Sequence, residues 1–188
     1  SDADGVADLL DDFVSGMREG GLSVTLKTFP GIGNVSADVT ESIAENTDSL
    51  MTIRDTNFVP YASGIQAGAD CVMVSNAAYS KLTVKKVPAF MSQDIVTKLL
   101  REELGFDGIV MTSPLNDNVI ENNYTNEFAV VEAVKAGCDL IVLPGNFKEC
   151  YEALITAVEE GRIDEKVINT SVRRILQNKI QRGILVLE

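Results

Sequence analysis

The segment "SQDIVTKLLREELGFDGIVMTS", residues 92–113, contains the structural unit that decides the fold. Its first part has an amphipathic helical pattern and its last part is a continuous apolar run, so it predicts a helix followed by a strand. The same order returns in "VPYASGIQAGADCVMVSN" and in "NEFAVVEAVKAGCDLIVLPG". These two segments share an internal repeat, "AGADCVMV" at 67–74 and "AGCDLIVL" at 136–143. The chain is therefore predicted to be an α/β protein.

Helices are also predicted near both ends of the chain. Apolar residues from Val6 to Met17 recur at three- and four-residue spacing, which indicates an amphipathic helix that the glycines of "REGG" end. The strand "LSVTLKTF" follows. Two further helices are predicted at about 147–160 and 164–182, the second with Asp164 as its N-cap residue.

The number of strands limits the possible architectures. Four are predicted, at about 22–28, 70–76, 108–113 and 139–144. Their continuous apolar runs indicate strands buried on both faces, and the intervening helices imply parallel pairing with right-handed crossovers. A (β/α)₈ barrel needs eight strands. Because the chain opens with a helix that no strand precedes, residues 1–188 are expected to be one domain, either the second half of such a barrel or a small flavodoxin-like doubly wound sheet.

Composition excludes several classes of partner. The formal net charge is −12, which argues against nucleic acid and anionic membranes, since both require a basic face. No apolar run reaches the roughly 20 residues that a membrane span needs, and the start of the sequence is not a signal peptide. The sequence does not decide whether the protein is located in the cytoplasm or at the bacterial cell surface. The three cysteines form no CxxC pair and are expected to be free thiols, with Cys71 and Cys138 buried.

Four loops follow the predicted strands and define the expected ligand face. In both candidate architectures this face lies at the carboxyl ends of the strands. The loops read "TFPGIGNVSADVTES", "NAAYSKLTVKKV", "SPLNDNVIENN" and "PGNFKE". The sequence contains no histidine, so a Ser/His/Asp or Cys/His nucleophile system is excluded. No acidic cluster has metal-binding spacing, and neither a metal nor a cofactor is expected.

These segments resemble glycoside hydrolase family 3, in particular its bacterial β-N-acetylglucosaminidase branch. "KTFPGIGNVSAD" is similar to the family loop "KHFPGHGDTxxDSH", and "AGADCVMVSNAAY" to "AGADAIMVSHxxY". "LLREELGFDGIVMTSPL" runs beside "LLREELGFDGVVITDDL", and "AVKAGCDLIVL" beside "ALKAGADLLLI". The similarity extends in order over most of the chain. It implies the C-terminal half of a catalytic (β/α)₈ barrel that acts on amino sugars or peptidoglycan fragments.

The departures from the family pattern lie at the catalytic positions. The resemblance places the nucleophilic aspartate at Ser113, and a serine hydroxyl needs an adjacent base before it can attack. It places the aspartate of the acid/base pair at Asp38 and the histidine at Thr40, which does not titrate in a useful range. The chain is therefore expected to have lost catalysis, with Ser113 ending a strand and Asp38 bonded within its own loop.

Other positions of the resemblance concern substrate binding. Thr28, Ile32 and Asn76 stand where the family has histidines that touch the sugar. Lys27 is retained, and it is expected to bond a sugar hydroxyl or to pair with a nearby acid. Tyr79 is expected either to line a sugar platform or to belong to the core, as is Phe58.

Two alternatives remain. An active but unusual hydrolase would use Asp38 or Asp117, which lies four residues beyond Ser113; the plainer reading of Asp117 is a helix-start acid. A non-catalytic scaffold would bind protein through the same rim. Asp107 is read as a turn residue at the structural end of its strand. Open sheet edges predict self-association or pairing with a missing N-terminal half.

Overall fold

The computed structural model describes residues 2–35 and 37–186. Its main sheet has three parallel strands, β1 (Thr25–Phe29), β3 (Cys71–Val74) and β5 (Ile109–Thr112), in the order β1-β3-β5. A second, two-stranded parallel pair joins β2 (Glu45–Asn46) to β4 (Ala78–Tyr79). The α-helices are α1 (Ala3–Glu19), α2 (Leu50–Asp55), α3 (Phe58–Gln66), α4 (Asn118–Glu121), α5 (Asn126–Ala136), α6 (Phe147–Glu159) and α7 (Glu165–Gln181). A π-helix, Asp94–Glu103, precedes β5.

The predicted helix–strand order is confirmed for these elements. The main strands follow each other across the sheet in chain order, with no reversal among the described residues. A doubly wound sheet requires such a reversal, so the flavodoxin-like alternative is wrong. The first and last predicted helices are confirmed, and Asp164 caps α7 by accepting a hydrogen bond from the Lys166 N–H at 2.9 Å.

The two faces of the main sheet differ in burial. Leu26 and its register partners Val72 and Val110 are buried and form part of the core. The next position along each strand puts Lys27, Met73 and Met111 on the opposite face, because side chains alternate along a strand. Lys27 is exposed and both methionines are half-buried. The second face is buried at Cys71 and Ile109 but exposed along β1 at Thr25 and Lys27, so the prediction that both faces are buried is wrong for β1.

The fourth predicted strand, 139–144, is much shorter than expected. It pairs with β5 through one bridge, Met111 with Leu140, supported by a 3.1 Å bond from the Thr112 N–H to the Leu140 carbonyl. The backbone then leaves extended geometry, since φ is 44° at Leu143 and 73° at Gly145. An apolar run alone did not reveal this change of direction.

The aspartates of the repeated segments "AGAD" (67–70) and "AGCD" (136–139) form hydrogen bonds and ion pairs at the amino ends of the strands. Asp70 accepts a hydrogen bond from the Val24 N–H at 2.9 Å, and Asp139 accepts one from the Val110 N–H at 2.9 Å. Helix α7 and its C-cap residue reach both carboxylates: Arg174 lies 3.3 Å from Asp139, and Arg182, the C-cap residue, lies 2.6 Å from Asp70. This end of the sheet is thus fastened by buried ion pairs, and the carboxyl ends of the strands carry the loops of the candidate site.

Arg174 also pairs with Asp107 at 3.1 Å. Asp107 is nearly fully exposed and lies just before β5, at the fastened end of the sheet. Its position is consistent with a structural residue outside the ligand face.

Candidate functional site

The loops after β1, β3 and β5 form one rim at the carboxyl ends of the strands. Lys27 lies on β1 with its side chain exposed, and Thr28 next to it is half-buried. Both line a groove of about 1020 Å³ that runs along the outer edge of β1. Its opposite wall comes from α1 and includes Leu10 and Phe13. Lys27 and Thr28 are accessible to a ligand from this groove.

The Asp38 carboxylate is bonded within its own loop. Its Oδ1 accepts hydrogen bonds from the Thr40 N–H at 2.9 Å and from the Thr40 hydroxyl at 2.7 Å. Asp38 is exposed, and these two bonds lower its pKa, the N–H bond having the larger effect. A carboxylate with a lowered pKa stays ionised at neutral pH, so Asp38 is not poised to donate a proton.

Ser113 directly follows β5 and is hydrogen-bonded to the neighbouring strand β3. It is 6% exposed, and its hydroxyl donates to the Val74 carbonyl at 2.9 Å, while its own N–H donates to the same oxygen at 3.0 Å. A carbonyl oxygen accepts a hydrogen bond but does not take the proton, so this contact does not activate the hydroxyl as a nucleophile.

The structure brings Asn76 and Asp117 together from different strand ends. Asn76 Nδ2 donates to Asp117 Oδ2 at 2.9 Å and lies 3.4 Å from the Pro114 carbonyl. Partial burial raises the pKa of Asp117, and the nearby charges of Asp38 and Glu41 raise it further, whereas the Asn76 bond opposes the shift. Asp117 is the N-cap residue of α4 but makes no side-chain capping bond, so its carboxyl faces the rim residues instead.

Two rim contacts were missed by the sequence analysis. The Val119 N–H donates to the Thr40 carbonyl at 2.8 Å, and Asn118 Nδ2 donates to Glu41 Oε2 at 2.8 Å. They fasten the loop after β1 to the start of α4 and so bring Glu41 beside Asp117. Short polar residues in two separate loops give no local signal for such a contact.

Tyr79 supports the rim from inside the core. Its side chain is fully buried, and its hydroxyl donates to the Gly31 carbonyl at 3.0 Å. Burial raises the pKa of this hydroxyl. Phe58 is 5% exposed and stacks on Phe29 with ring centroids 5.6 Å apart. Both side chains lie in the core, and neither forms an exposed surface for a sugar ring.

Comparison with known families identifies the framework that carries this rim. Residues 1–178 match the model of the glycosyl hydrolase family 3 N terminal domain. The chain belongs to this family. The resemblance seen in the sequence is confirmed at the level of the family.

The relatives of this family 3 domain include β-hexosaminidases and β-N-acetylglucosaminidases. A β-hexosaminidase from Xylella fastidiosa (strain M23) is 33% identical over 131 residues, which are 70% of this chain and 38% of that protein. The solved β-N-acetylglucosaminidase of Paenibacillus sp. str. FPU-7 is 33% identical, with a TM-score of 0.94 over 100% of this chain and 37% of its own. The Thermotoga maritima β-N-acetylglucosaminidase is 26% identical, with a TM-score of 0.86 over 95% of this chain and 39% of its own. The chain therefore spans under two fifths of the length of these relatives.

Two further features of the family 3 domain concern metals and membranes. Within residues 2–35 and 37–186, no group of three histidine, cysteine, aspartate or glutamate side chains is arranged to hold a metal ion. In the same residues, no helix combines the length and the apolar character needed to cross a bilayer.

All three cysteines are buried free thiols, as predicted for Cys71 and Cys138.

Proposed function

We propose that this family 3 domain binds amino sugars of the N-acetylglucosamine type and that its own residues do not cleave the glycosidic bond. The first part of the proposal is supported by the family and by relatives named as β-hexosaminidases and β-N-acetylglucosaminidases. It is also supported by the position of Lys27, Thr28 and Asn76 at the carboxyl ends of parallel strands, where such folds bind ligands.

The state of Ser113 carries the proposal of lost catalysis. A retaining glycosidase needs one carboxylate that attacks the anomeric carbon and a second group that protonates the leaving oxygen. At the position of the nucleophile, the Ser113 hydroxyl instead donates to the Val74 carbonyl. At the acid/base pair, Asp38 is bonded to Thr40, which has no titratable group. Both halves of the reaction therefore lack a suitable group at the expected place.

A combined binding and turnover experiment tests this function. Calorimetric titration with N-acetylglucosamine and with a muropeptide is expected to give saturable heat, and the nitrophenyl glycoside of N-acetylglucosamine is expected to remain uncleaved. Absence of any binding would contradict the sugar-binding part. Clear turnover that disappears in Asp38→Ala or Asp117→Asn would contradict the loss of catalysis.

One observation favours the alternative of an unusual hydrolase. The pKa of Asp117 is raised and that of Asp38 is lowered, and the two carboxyls are close enough for their charges to interact. Two carboxyls whose environments separate their pKa values are the usual arrangement of an acid and its ionised partner. In this alternative Asp117 would donate the proton and Asp38 would act as the ionised group. The same turnover assay distinguishes the two functions.

We also propose that the sheet is half of a (β/α)₈ barrel and that its open edge pairs with another strand. Strand β1 has a neighbour on one side only among the described strands, and the groove along its other side is lined largely by apolar side chains. The other strand would come from a second copy or from a further part of the same polypeptide. Sedimentation tests this: a monodisperse 20.3 kDa monomer at high concentration would exclude pairing between copies.

A further inference from the structure

The groove along the outer edge of β1 is suited to hold an added strand. Strand β1 is five residues long and pairs only with β3 among the described strands. An edge strand has unpaired backbone N–H and C=O groups on its open side. The wall that faces this edge includes Leu10 and Phe13 of α1 and Pro60 of α3. A strand laid in the groove would pair with β1 through its backbone and place every second side chain against this apolar wall.

The charged side chains of the groove are mostly acidic. Among the described residues that line it, three are aspartates, Asp2, Asp4 and Asp55, and one is a cation, Lys27. No salt bridge of the described residues includes any of these four. The groove therefore attracts a positive charge more than a negative one.

The three aspartates lie at the end of the groove that is next to the rim. The last turn of α1 is held at the amino ends of the strands, because Arg18 lies 3.2 Å from Asp70. The first turn of α1, which carries Asp4, is therefore beside the carboxyl end of β1. Asn57 lies there as well, since its Nδ2 donates to the Pro30 carbonyl at 2.9 Å, and Asp55 is two residues before it.

A buried hydroxyl without a partner also borders the groove. Tyr61 is 8% exposed and lines the groove, and its ring packs edge-on against Phe29 with centroids 5.1 Å apart. Burial raises the pKa of its hydroxyl, and no hydrogen bond of the described residues includes this group. Buried tyrosine hydroxyls usually have a hydrogen-bond partner. The Tyr61 hydroxyl is thus an unused donor for an occupant of the groove.

We propose that the groove receives an apolar strand that runs parallel to β1 and ends in a basic residue at the rim. The proposal rests on the strand pairing proposed above and names the chemistry of the partner. The apolar side chains of the strand match the wall formed by α1 and α3, and its basic end matches Asp4 and Asp55. A carbonyl oxygen of the strand accepts from the Tyr61 hydroxyl.

Charge distinguishes this partner from a second copy of the chain. Each copy has a formal net charge of −12, so two copies repel each other, and the acidic end of the groove adds to this repulsion. A segment with a basic end is attracted to the same place. In strand addition, backbone hydrogen bonds supply the affinity and the side chains decide which segment is accepted.

The test compares two peptides of the same composition. Acetyl-TVTITR-amide has its arginine at the end that a parallel orientation brings to the rim, and acetyl-RTVTIT-amide has it at the other end. Each is titrated into the protein at low salt and followed by amide NMR. The first peptide is expected to bind about threefold more tightly, since exposed ion pairs are weak, and added salt should reduce the difference. Its binding should slow hydrogen exchange of the β1 amides that point away from β3.

Two charge variants test the acidic end of the groove. Asp4→Asn combined with Asp55→Asn should bring the ratio of the two affinities towards one. Asp11→Asn combined with Asp12→Asn removes the same charge at exposed positions of α1 outside the lining of the groove, and it should keep the wild-type ratio.

Tyr61→Phe tests the unused donor. It should weaken the binding of the first peptide by about fivefold. It should leave the stability of the free protein unchanged, because the hydroxyl has no partner there. Tyr79→Phe is the matched control, since the Tyr79 hydroxyl donates to the Gly31 carbonyl inside the protein and its loss should lower stability.

The outcomes separate the inference from the strand pairing on which it rests. Tighter binding of the first peptide that depends on Asp4 and Asp55 supports the inference. Equal affinities with protected β1 amides would overturn it and leave the strand pairing intact. If neither peptide binds, the inference is wrong. In that case, β1 amides protected in a dimer of the protein would identify a second copy as the occupant, whereas freely exchanging amides would contradict the strand pairing itself.

Discussion

Removal of the Asp139 carboxylate is expected to be strongly destabilising. This side chain is fully buried and accepts four hydrogen bonds, from Arg101, from Ser171, from Arg174 and from the Val110 N–H. Arg101 is only 11% exposed and lies 2.6 Å from Asp139. Burial lowers the pKa of Arg101, and Asp139 opposes that shift. In Asp139→Ala, Arg101 is left as a buried cation without its partner, which typically costs about 3–5 kcal/mol.

Urea unfolding at neutral pH measures this cost. With a urea dependence of about 2 kcal/mol per molar, the midpoint should fall by roughly 2 M. The matched control is Glu103→Gln, which breaks the Arg54–Glu103 pair, 2.6 Å apart with side chains 48% and 33% exposed. An exposed pair contributes about 0–1 kcal/mol, so this control should barely move the midpoint.

A milder change keeps the test informative if Asp139→Ala does not fold. Ser171→Ala removes one donor, the hydroxyl 2.7 Å from Asp139, and should cost about 1 kcal/mol. If Asp139→Ala and Glu103→Gln lower stability by the same small amount, the fastening of the sheet through Asp139 is not what stabilises this end of the fold.

Three further predictions concern the rim and the packing of the strands. Tyr79→Phe leaves the Gly31 carbonyl without its donor and should lower the free energy of unfolding by about 1 kcal/mol in urea titrations. Because the pKa of Asp117 is raised in the folded state, its contribution to stability is present at acid pH and is lost as pH rises through that pKa. Asp117→Asn should therefore gain stability relative to wild type between acid and neutral pH, and an unchanged difference would contradict this. In Gly108→Ala the new Cβ would lie 2.5 Å from the Asp70 carbonyl, which should cost about 1–3 kcal/mol, whereas Gly16→Ala, with nothing within 4 Å, should be neutral or stabilising by thermal melting.

The pattern of apolar residues predicted a strand well where that strand has neighbouring strands on both sides or a helix packed against it. The strand at 70–76 is an example, since Val72 and Val74 are fully buried between β1 and β5. It failed at 139–144, where an equally apolar run pairs at Leu140 and then turns. The amino-acid composition of the two runs does not distinguish the long strand from the short one, because strand length depends on pairing partners that lie elsewhere in the chain.

The rim was predicted in part. Ser113 was expected to end a strand and Asp38 to be bonded within its own loop; Ser113 directly follows β5, and Asp38 accepts the bond from the Thr40 N–H. The pairing of Asn76 with Asp117 requires the ends of two strands to be adjacent, which the order of the sheet supplies and local sequence does not. The sequence allowed Tyr79 either to line a sugar-binding surface or to belong to the core. Its complete burial in the structure places it in the core.

The contacts that stabilise the two ends of the sheet are separate, and this bears on the proposed loss of catalysis. At the amino ends, Asp70 and Asp139 join the strands to α7 through buried charges that do not contact the rim. At the carboxyl ends, Thr40 and Ser113 make hydrogen bonds that serve the local backbone. If Thr40 and Ser113 stand in place of catalytic groups, as proposed, such replacements would leave the distant ion pairs unchanged, and stability need not fall when reactivity is lost. Introducing a carboxylate with Ser113→Asp should destabilise the domain, because the new charge would be buried and its oxygen would face the Val74 carbonyl. A Ser113→Asp variant as stable as wild type at neutral pH would show that the rim still accommodates the ionised group.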